Sequence, residues 1–374
     1  MDIRIQLIKK RLKKWFHTGQ GGPITLEVNP TNKCNLHCLS CLARGKPEYY
    51  ADKELSKKRY LHLIKESAEL GVVYCDICGG GEPFSRADIT LAIMHESKRH
   101  GMIGTAITNG TLLSSNIIRN LIKIKWDYLH ISLDGPATIN DYLRGKGTFY
   151  KVSTTINLIN YWKNRTRMKN TRLNIFSVIN KKNYKYIPEL VDLVIKWEIE
   201  GIYLQPVMVT NSEGKNLIMD AIDLLHFKKI LDIANKKIIT KNIKSNIDLI
   251  DKFFLQHNHR KQDLFKFNHT ENGKNHNQNI YCFSPWLNVS VKADGTMSSC
   301  PVESELTSEC NIKKESFSEI WFGNIFSSFR RNILHGKKLS FCRNCGSMEK
   351  IENKKILHEI TTNLSKYRNF TYLK

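Results

Sequence analysis

Residues 31–41 read Thr31-Asn32-Lys33-Cys34-Asn35-Leu36-His37-Cys38-Leu39-Ser40-Cys41, directly behind a short apolar run at 24–28. Three thiolates spaced C-x3-C-x2-C on one loop suit three irons of a cubane iron–sulfur cluster, because such clusters are held by cysteine thiolates. A closed electron-transfer cubane takes a fourth ligand, and no fourth cysteine lies nearby. One iron is then left open for a substrate or cofactor, by the logic that separates catalytic from structural zinc. The competing reading is a zinc site completed by His37, but a side chain trapped between two ligand cysteines is poorly placed to close one.

Outward from this loop, the chain from residue 24 to about 240 alternates short apolar runs with amphipathic stretches. The runs at 24–28, 72–78, 103–108, 128–133, 173–179 and 202–207 predict strands; they lack strict alternation, as expected when both faces are buried. Helical patterns lie between them at 56–70, 88–100, 115–124, 150–163 and 184–199, with another at 217–240. Six β-α repeats imply parallel strands with right-handed crossovers. An open doubly wound sheet and a partial barrel both fit, and either puts chemistry in the loops at the C-terminal ends of the strands.

Those loops carry a set of short motifs in order. Gly79-Gly80-Gly81-Glu82-Pro83 follows the second strand, Thr108-Asn109-Gly110 ends the third, and Ile131-Ser132-Leu133-Asp134-Gly135-Pro136 ends the fourth; Arg144 stands in Asp141-Tyr142-Leu143-Arg144-Gly145. Together with the cysteine loop, this resembles the radical S-adenosylmethionine (SAM) superfamily over roughly residues 24–207. The resemblance implies a partial (β/α)6 barrel and a [4Fe-4S] cluster on Cys34, Cys38 and Cys41. It also implies SAM bound by Ser40, Gly79, Gly80, Gly81, Glu82, Asn109, Ser132 and Arg144. The glycines would let the backbone approach the methionine part, a carboxylate would hold its ammonium, and Arg144 would face its carboxylate. Ser40 departs from the pattern, since many members have an aromatic residue there near the adenine. The implied reaction is reductive cleavage of SAM to a 5′-deoxyadenosyl radical, which then takes a hydrogen atom from substrate; the cofactor does the hard step and the protein positions it.

A second cysteine group, Cys282, Cys300, Cys342 and Cys345, has a Gly-x4-Cys step from Gly295 to Cys300 and a C-x2-C end. It resembles the auxiliary-cluster extensions called SPASM and twitch domains. No cysteine follows 345, which argues for a twitch-like unit with one auxiliary [4Fe-4S] cluster on these four thiolates; a four-cysteine zinc site is the alternative the spacing leaves open. Cys310 sits where the family pattern leads one to expect glycine and is left out of the site. Cys75 and Cys78 form another C-x2-C, but on a strand residues three apart point to opposite faces, so they read as small buried hydrophobes.

The C-terminal part reads as a small, separate α+β unit over 281–374. It has a hairpin, with strands at 287–291 and 296–299 joined at Ala293-Asp294-Gly295, and a helix at about 316–335. The Asn- and His-rich stretch 256–280 reads as a linker or surface loop, with His257 and His259 solvated. Residues 1–23 begin with a basic amphipathic helix whose apolar side carries Ile5, Ile8, Leu12, Trp15 and Phe16. It either packs on its own domain or makes peripheral membrane contact through residues 1–20.

Length and composition bound the rest. The chain has 374 residues, 41% hydrophobic and 25% charged, which excludes wholesale disorder. Neither a membrane-spanning run nor a secretory signal is apparent, so a cytoplasmic location is expected. The net charge is +23, but lysines outnumber arginines by 42 to 16 and are scattered. Arginine is the better fork for phosphate, so the charge does not favour nucleic acid. Bunched cysteines without a secretion signal read as metal ligands before disulfides. The expected partners are a substrate peptide or small metabolite and a reductant such as flavodoxin or ferredoxin. The competing classes are a radical SAM enzyme acting on RNA and a non-catalytic iron–sulfur electron carrier.

Overall fold

The computed structural model describes residues 3–41, 53–167, 170–208, 213–257, 282–300 and 309–334. Its frame is a run of parallel strands: β1 (Thr25–Val28), β2 (Tyr74–Ile77), β3 (Ile103–Thr108), β4 (Tyr128–Ser132), β5 (Arg172–Ile179) and β6 (Gly201–Pro206). Between them lie helices α2 (Lys57–Glu69), α3 (Ala87–Arg99), α4 (Ser115–Ile124), α5 (Ala137–Arg144), α6 (Thr148–Thr166) and α7 (Ile187–Lys196). The strands stand in chain order from β1 to β6, without reversal. A doubly wound sheet reverses its strand order at a switch point. Sequential order keeps every crossover on one face, so the sheet curls away from its helices into a partial (β/α)6 barrel.

Side chains alternate accordingly. Leu26, Val28, Cys75, Ile77, Ala106, Leu129, Ile131, Ile175 and Ile202 are at most 1% exposed and form the layer beneath the helices. Their neighbours Glu27, Asp76, Thr105, His130, Phe176 and Tyr203 are half-buried on the opposite face, inside the barrel. Helix ends follow local chemistry: Ser56 and Ser114 accept from the backbone N–H groups of Arg59 and Ile117 to cap α2 and α4.

After β6, α8 (Ala221–Thr240) opens with a capping box between Asp220 and Asp223. Two residues of β7 (Lys244–Ser245) extend the sheet beyond β6, and α9 (Ile247–His257) follows. The C-terminal unit corrects the expectation of separateness. Following α10 (Ser284–Leu287), β8 (Asn288–Val291) pairs parallel with β1, and β9 (Met297–Ser298) pairs antiparallel with β8. The expected hairpin is therefore present, but it prolongs the barrel sheet on the β1 side. The expected helix at 316–335 is two helices, α11 (Phe317–Phe322) and α12 (Asn324–Leu334), because Gly323 adopts extended backbone between them.

Helix α1 (Ile3–Thr18) spends its apolar face on its own protein. Leu12 and Trp15 are buried, and Ile5, Leu7, Ile8 and Phe16 pack on the core. Arg11 donates to Gly22 O, to Pro23 O at 2.9 Å and to Gly71 O at 2.7 Å, while Trp321 Nε1 donates to Gly21 O at 2.7 Å. The face that membrane contact through residues 1–20 would need is thus occupied. No helix among the described residues is long and apolar enough to cross a membrane. The expected linker at 256–280 lies almost entirely outside the described residues.

Candidate radical SAM centre

The cysteine loop leaves the C-terminal end of β1 and lies against the loop that leaves β2. Gly81 N donates to Thr31 O at 2.9 Å and Glu82 N to Lys33 O at 2.8 Å. A Cβ on Gly81 would stand 2.1 Å from Lys33 O, and one on Gly80 would stand 1.9 Å from Asn29 Nδ2. The glycines at 80 and 81 are therefore required by the packing of one loop on the other, a reason additional to ligand approach. Gly80 also takes φ +60°, in the left-handed region open to glycine. Gly79 and Gly80 are exposed, so their backbone remains accessible beside the cysteines.

Glu82 is held by the protein on both carboxylate oxygens. It is 3% exposed; Oε1 accepts from Thr108 Oγ1 at 2.6 Å and Phe84 N at 3.1 Å, and Oε2 accepts from Asn109 N at 2.7 Å. Burial pushes its carboxyl above the usual range, and these donors hold it back. Glu82 is a strut joining the β2 and β3 loops, and a SAM ammonium would have to share its oxygens. Asn109 extends the strut: Nδ2 donates to Asn35 Oδ1 at 2.9 Å and lies 4.0 Å from Cys34 Sγ.

Arg144 is likewise committed. Its Nε stands 2.7 Å from Asp134 Oδ2, an ion-pair contact in which the guanidinium side chain is 9% exposed and the carboxylate 0%. Asp134 Oδ1 in turn accepts from Ser177 Oγ at 3.2 Å and Val178 N at 2.9 Å. Asp134 thereby fastens the β4 loop to β5 and holds Arg144 beside the cysteine loop, where its charge acts on Cys38 and Cys41. Cys38 Sγ lies 4.0 Å from Arg144 O, and burial pushes its thiol up to about 11, with Arg144 opposing. Ser132 is 8% exposed at the end of β4, and Ser40 is half-buried in the cysteine loop.

The donor set fits an iron–sulfur cluster. Three thiols share one loop, and Cys34 Sγ accepts from Leu36 N at 3.5 Å with Asn109 Nδ2 close by. Burial raises the Cys34 and Cys38 thiols, and the N–H groups at Cys34 and the guanidinium at Cys38 work against it, towards the thiolate that binds metal. None of the eight described cysteines is in a disulfide. In the C-terminal unit, Cys282 and Cys300 flank the hairpin, and Ser298 Oγ accepts from Cys300 N at 3.2 Å. Cys342 and Cys345 lie outside the described residues.

The chain matches the radical SAM superfamily over residues 28–194 and the SPASM iron–sulfur cluster-binding domain over 282–346. It belongs to the radical SAM superfamily. Over 307 residues it is 25% identical to the Fe-coproporphyrin III synthase of Methanosarcina barkeri, covering 78% of this chain and 72% of that protein. It is 35% identical over 142 residues to the mycofactocin maturase MftC of Mycolicibacterium smegmatis, which covers 37% of this chain and only 35% of the maturase. Among solved structures, Streptococcus suis SuiB bound to SAM superposes with a TM-score of 0.62 at 18% identity, over 87% of this chain and 72% of that one. At that identity the likeness concerns the fold.

Sequence reasoning passed over Glu27, Thr105 and His130 in the barrel interior, and it named Asp76 and Tyr203 without selecting between them. Glu27, Asp76 and Thr105 are register neighbours on β1, β2 and β3, and Ser290 Oγ on β8 donates to Glu27 Oε1 at 3.0 Å. Cys75 is fully buried as expected, while Cys78 is half-buried and hydrogen-bonds Glu27. On the neighbouring strand β4, His130 packs edge-on against Phe176 and Tyr203 at ring distances of 6.2 and 5.2 Å. Its Nδ1 has no hydrogen-bond partner, and burial lowers its pKa to about 4, so the imidazole is neutral. One signal in the sequence was a charged residue, Glu27, inside a strand run otherwise buried on both faces.

Proposed function

We propose that this chain cleaves SAM reductively and takes a hydrogen atom from a peptide or small-molecule substrate held in the barrel, with the auxiliary cluster assisting oxidation. The observation that carries the reading is that Cys34, Cys38 and Cys41, the exposed Gly79–Gly80 backbone and Asn109 meet at one end of the barrel, in the loops where parallel α/β folds place chemistry. A [4Fe-4S] cluster held by Cys34, Cys38 and Cys41 would supply the electron for SAM cleavage. This chain's residues do the placing. Glu82 and Asn109 fix the β2 and β3 loops beside the cysteines. The Asp134–Arg144 pair holds positive charge against Cys38 and Cys41. Glu27, Asp76, His130 and Tyr203 line the interior in which a substrate would lie, and the walls of the barrel keep the radical from other partners.

A peptide substrate is in keeping with two similarities: MftC is a maturase, and SuiB has been solved bound to its precursor peptide SuiA. The auxiliary cluster would be held by Cys282, Cys300, Cys342 and Cys345. Anaerobic incubation of the reconstituted protein with SAM and dithionite tests the reading. Release of 5′-deoxyadenosine and methionine supports it, with Cys34→Ala abolishing the release. An electron carrier releases neither, and that result would refute the proposal. Salt-sensitive affinity for tRNA in a filter-binding assay would move the substrate to RNA.

A further inference from the structure

A network beneath the cysteine loop takes no part in the scheme above. The Glu54 side chain is 4% exposed. Its Oε1 accepts from Thr31 Oγ1 and from Asn32 N, each at 2.8 Å, and its Oε2 accepts from Arg86 Nη1 at 2.9 Å. Arg86 also donates to Pro30 O and to Leu55 O, each at 3.2 Å, and Tyr60 OH donates to Asn29 O at 2.9 Å. The backbone leading into Cys34 is thus held by side chains from outside its own loop.

The same short segment reaches the C-terminal unit. Leu55 N donates to Ala293 O at 2.7 Å, and the Leu55 side chain, 1% exposed, would meet a Cβ on Gly295 at 3.0 Å. Arg59 Nε donates to Ile312 O at 2.7 Å, and Lys313 Nζ donates to Lys53 O. Residues 53–59 therefore touch the cysteine loop on one side and the β8–β9 turn on the other.

We propose that Glu54 is a positioning residue that couples the β8–β9 turn of the auxiliary-cluster unit to the placement of the first cysteine loop. Displacement of that turn pushes Leu55, and Glu54 passes the shift to Thr31 and Asn32. A carboxylate suits the task because it serves two donors on one oxygen and a guanidinium on the other, which a glutamine amide cannot do. The inference rests on the cysteine loop being the SAM-binding loop, yet its test reads loop placement directly.

The test compares iron-loaded wild type, Glu54→Gln, Gly295→Ala and the double variant by amide hydrogen exchange over residues 29–41, with iron content and unfolding midpoint measured alongside. A Cβ at Gly295 would stand 2.7 Å from Asn311 Oδ1 as well as crowding Leu55, and the φ of +92° strains any side chain there, so the turn and the side chains packed on it are displaced. Glu54→Gln should retain both clusters' iron and speed exchange across 32–36 by about tenfold, the scale of losing a hydrogen bond to a charged group. Gly295→Ala should speed exchange there only while Glu54 is present. Leu55→Ala, which empties the contact instead of crowding it, should lose its effect in the same way without Glu54. Additive effects overturn the proposal, as does wild-type exchange in Glu54→Gln. So does loss of iron and midpoint together in that variant, which would assign Glu54 to stability alone. Failure of wild type to release 5′-deoxyadenosine would sink the proposed function while leaving the exchange result standing on its own.

Discussion

Replacing Gly81 with alanine tests whether the β1 and β2 loops form one rigid seat. A Cβ there would stand 2.1 Å from Lys33 O and 2.5 Å from Lys33 C, both backbone atoms that cannot swing aside. Ordinary contact begins at 3.4 Å, so the two loops must part by about 1.3 Å. The hydrogen bonds on either side of the contact, Gly81 N to Thr31 O at 2.9 Å and Glu82 N to Lys33 O at 2.8 Å, would then both open beyond bonding distance. Losing two such bonds costs about 2 kcal/mol, and crowding adds about 1–3 kcal/mol. Because Lys33 adjoins Cys34, the displacement falls on the cluster seat. The expected result is a SAM half-saturation, read from the electron paramagnetic resonance spectrum of the reduced cluster, at least tenfold above wild type. Gly101→Ala is the control. Its φ of +71° imposes backbone strain, but a Cβ there meets nothing within 4 Å, so stability should fall without any change in SAM response. Wild-type SAM response in a well-folded Gly81→Ala protein would refute the rigid seat.

Three other outcomes follow from the same structure. Asp134→Ala strands the buried Arg144 guanidinium and should cost about 3–5 kcal/mol in urea unfolding, more than Asp134→Asn, which keeps a hydrogen-bond acceptor at that position. His130 is held neutral by burial, at about 4 against an ordinary 6.5, so the unfolded chain takes the proton first as pH falls. Its contribution is intact above pH 6.5 and is lost towards pH 4, by up to about 3 kcal/mol, so the wild type should lose that much more than His130→Gln between pH 7 and 4. Cys342→Ala should lose auxiliary-cluster iron yet keep some uncoupled SAM cleavage, whereas Cys34→Ala should abolish cleavage; equal losses in 5′-deoxyadenosine release would mean the two cysteine groups are wrongly divided.

What the sequence made legible was local. The six core strands could be placed because each is a short, mostly apolar run between amphipathic stretches, and the motif loops because each closes such a run; the alternation of buried and half-buried residues along them shows only in the fold. Pairings between distant segments were not legible. Nothing within residues 288–291 says that this strand lies parallel to 25–28 rather than in a unit of its own, since register is fixed only when both partners are present. The same limit explains Glu82, Asp134 and Glu54. Each carboxylate could be seen, but its work depends on donors far along the chain: Thr108 and Asn109 for the first, Arg144 and Ser177 for the second, Thr31 and Arg86 for the third. Motif reading assigned Glu82 and Arg144 to the cofactor, and the structure gives both a bracing role between loops. Bracing and binding are compatible here, because a seat for a reactive intermediate must be rigid before it can be selective. A carboxylate with both oxygens committed to the protein contributes by holding its neighbours still, and substitution at Glu82 should disturb cluster geometry before it weakens any direct contact with SAM.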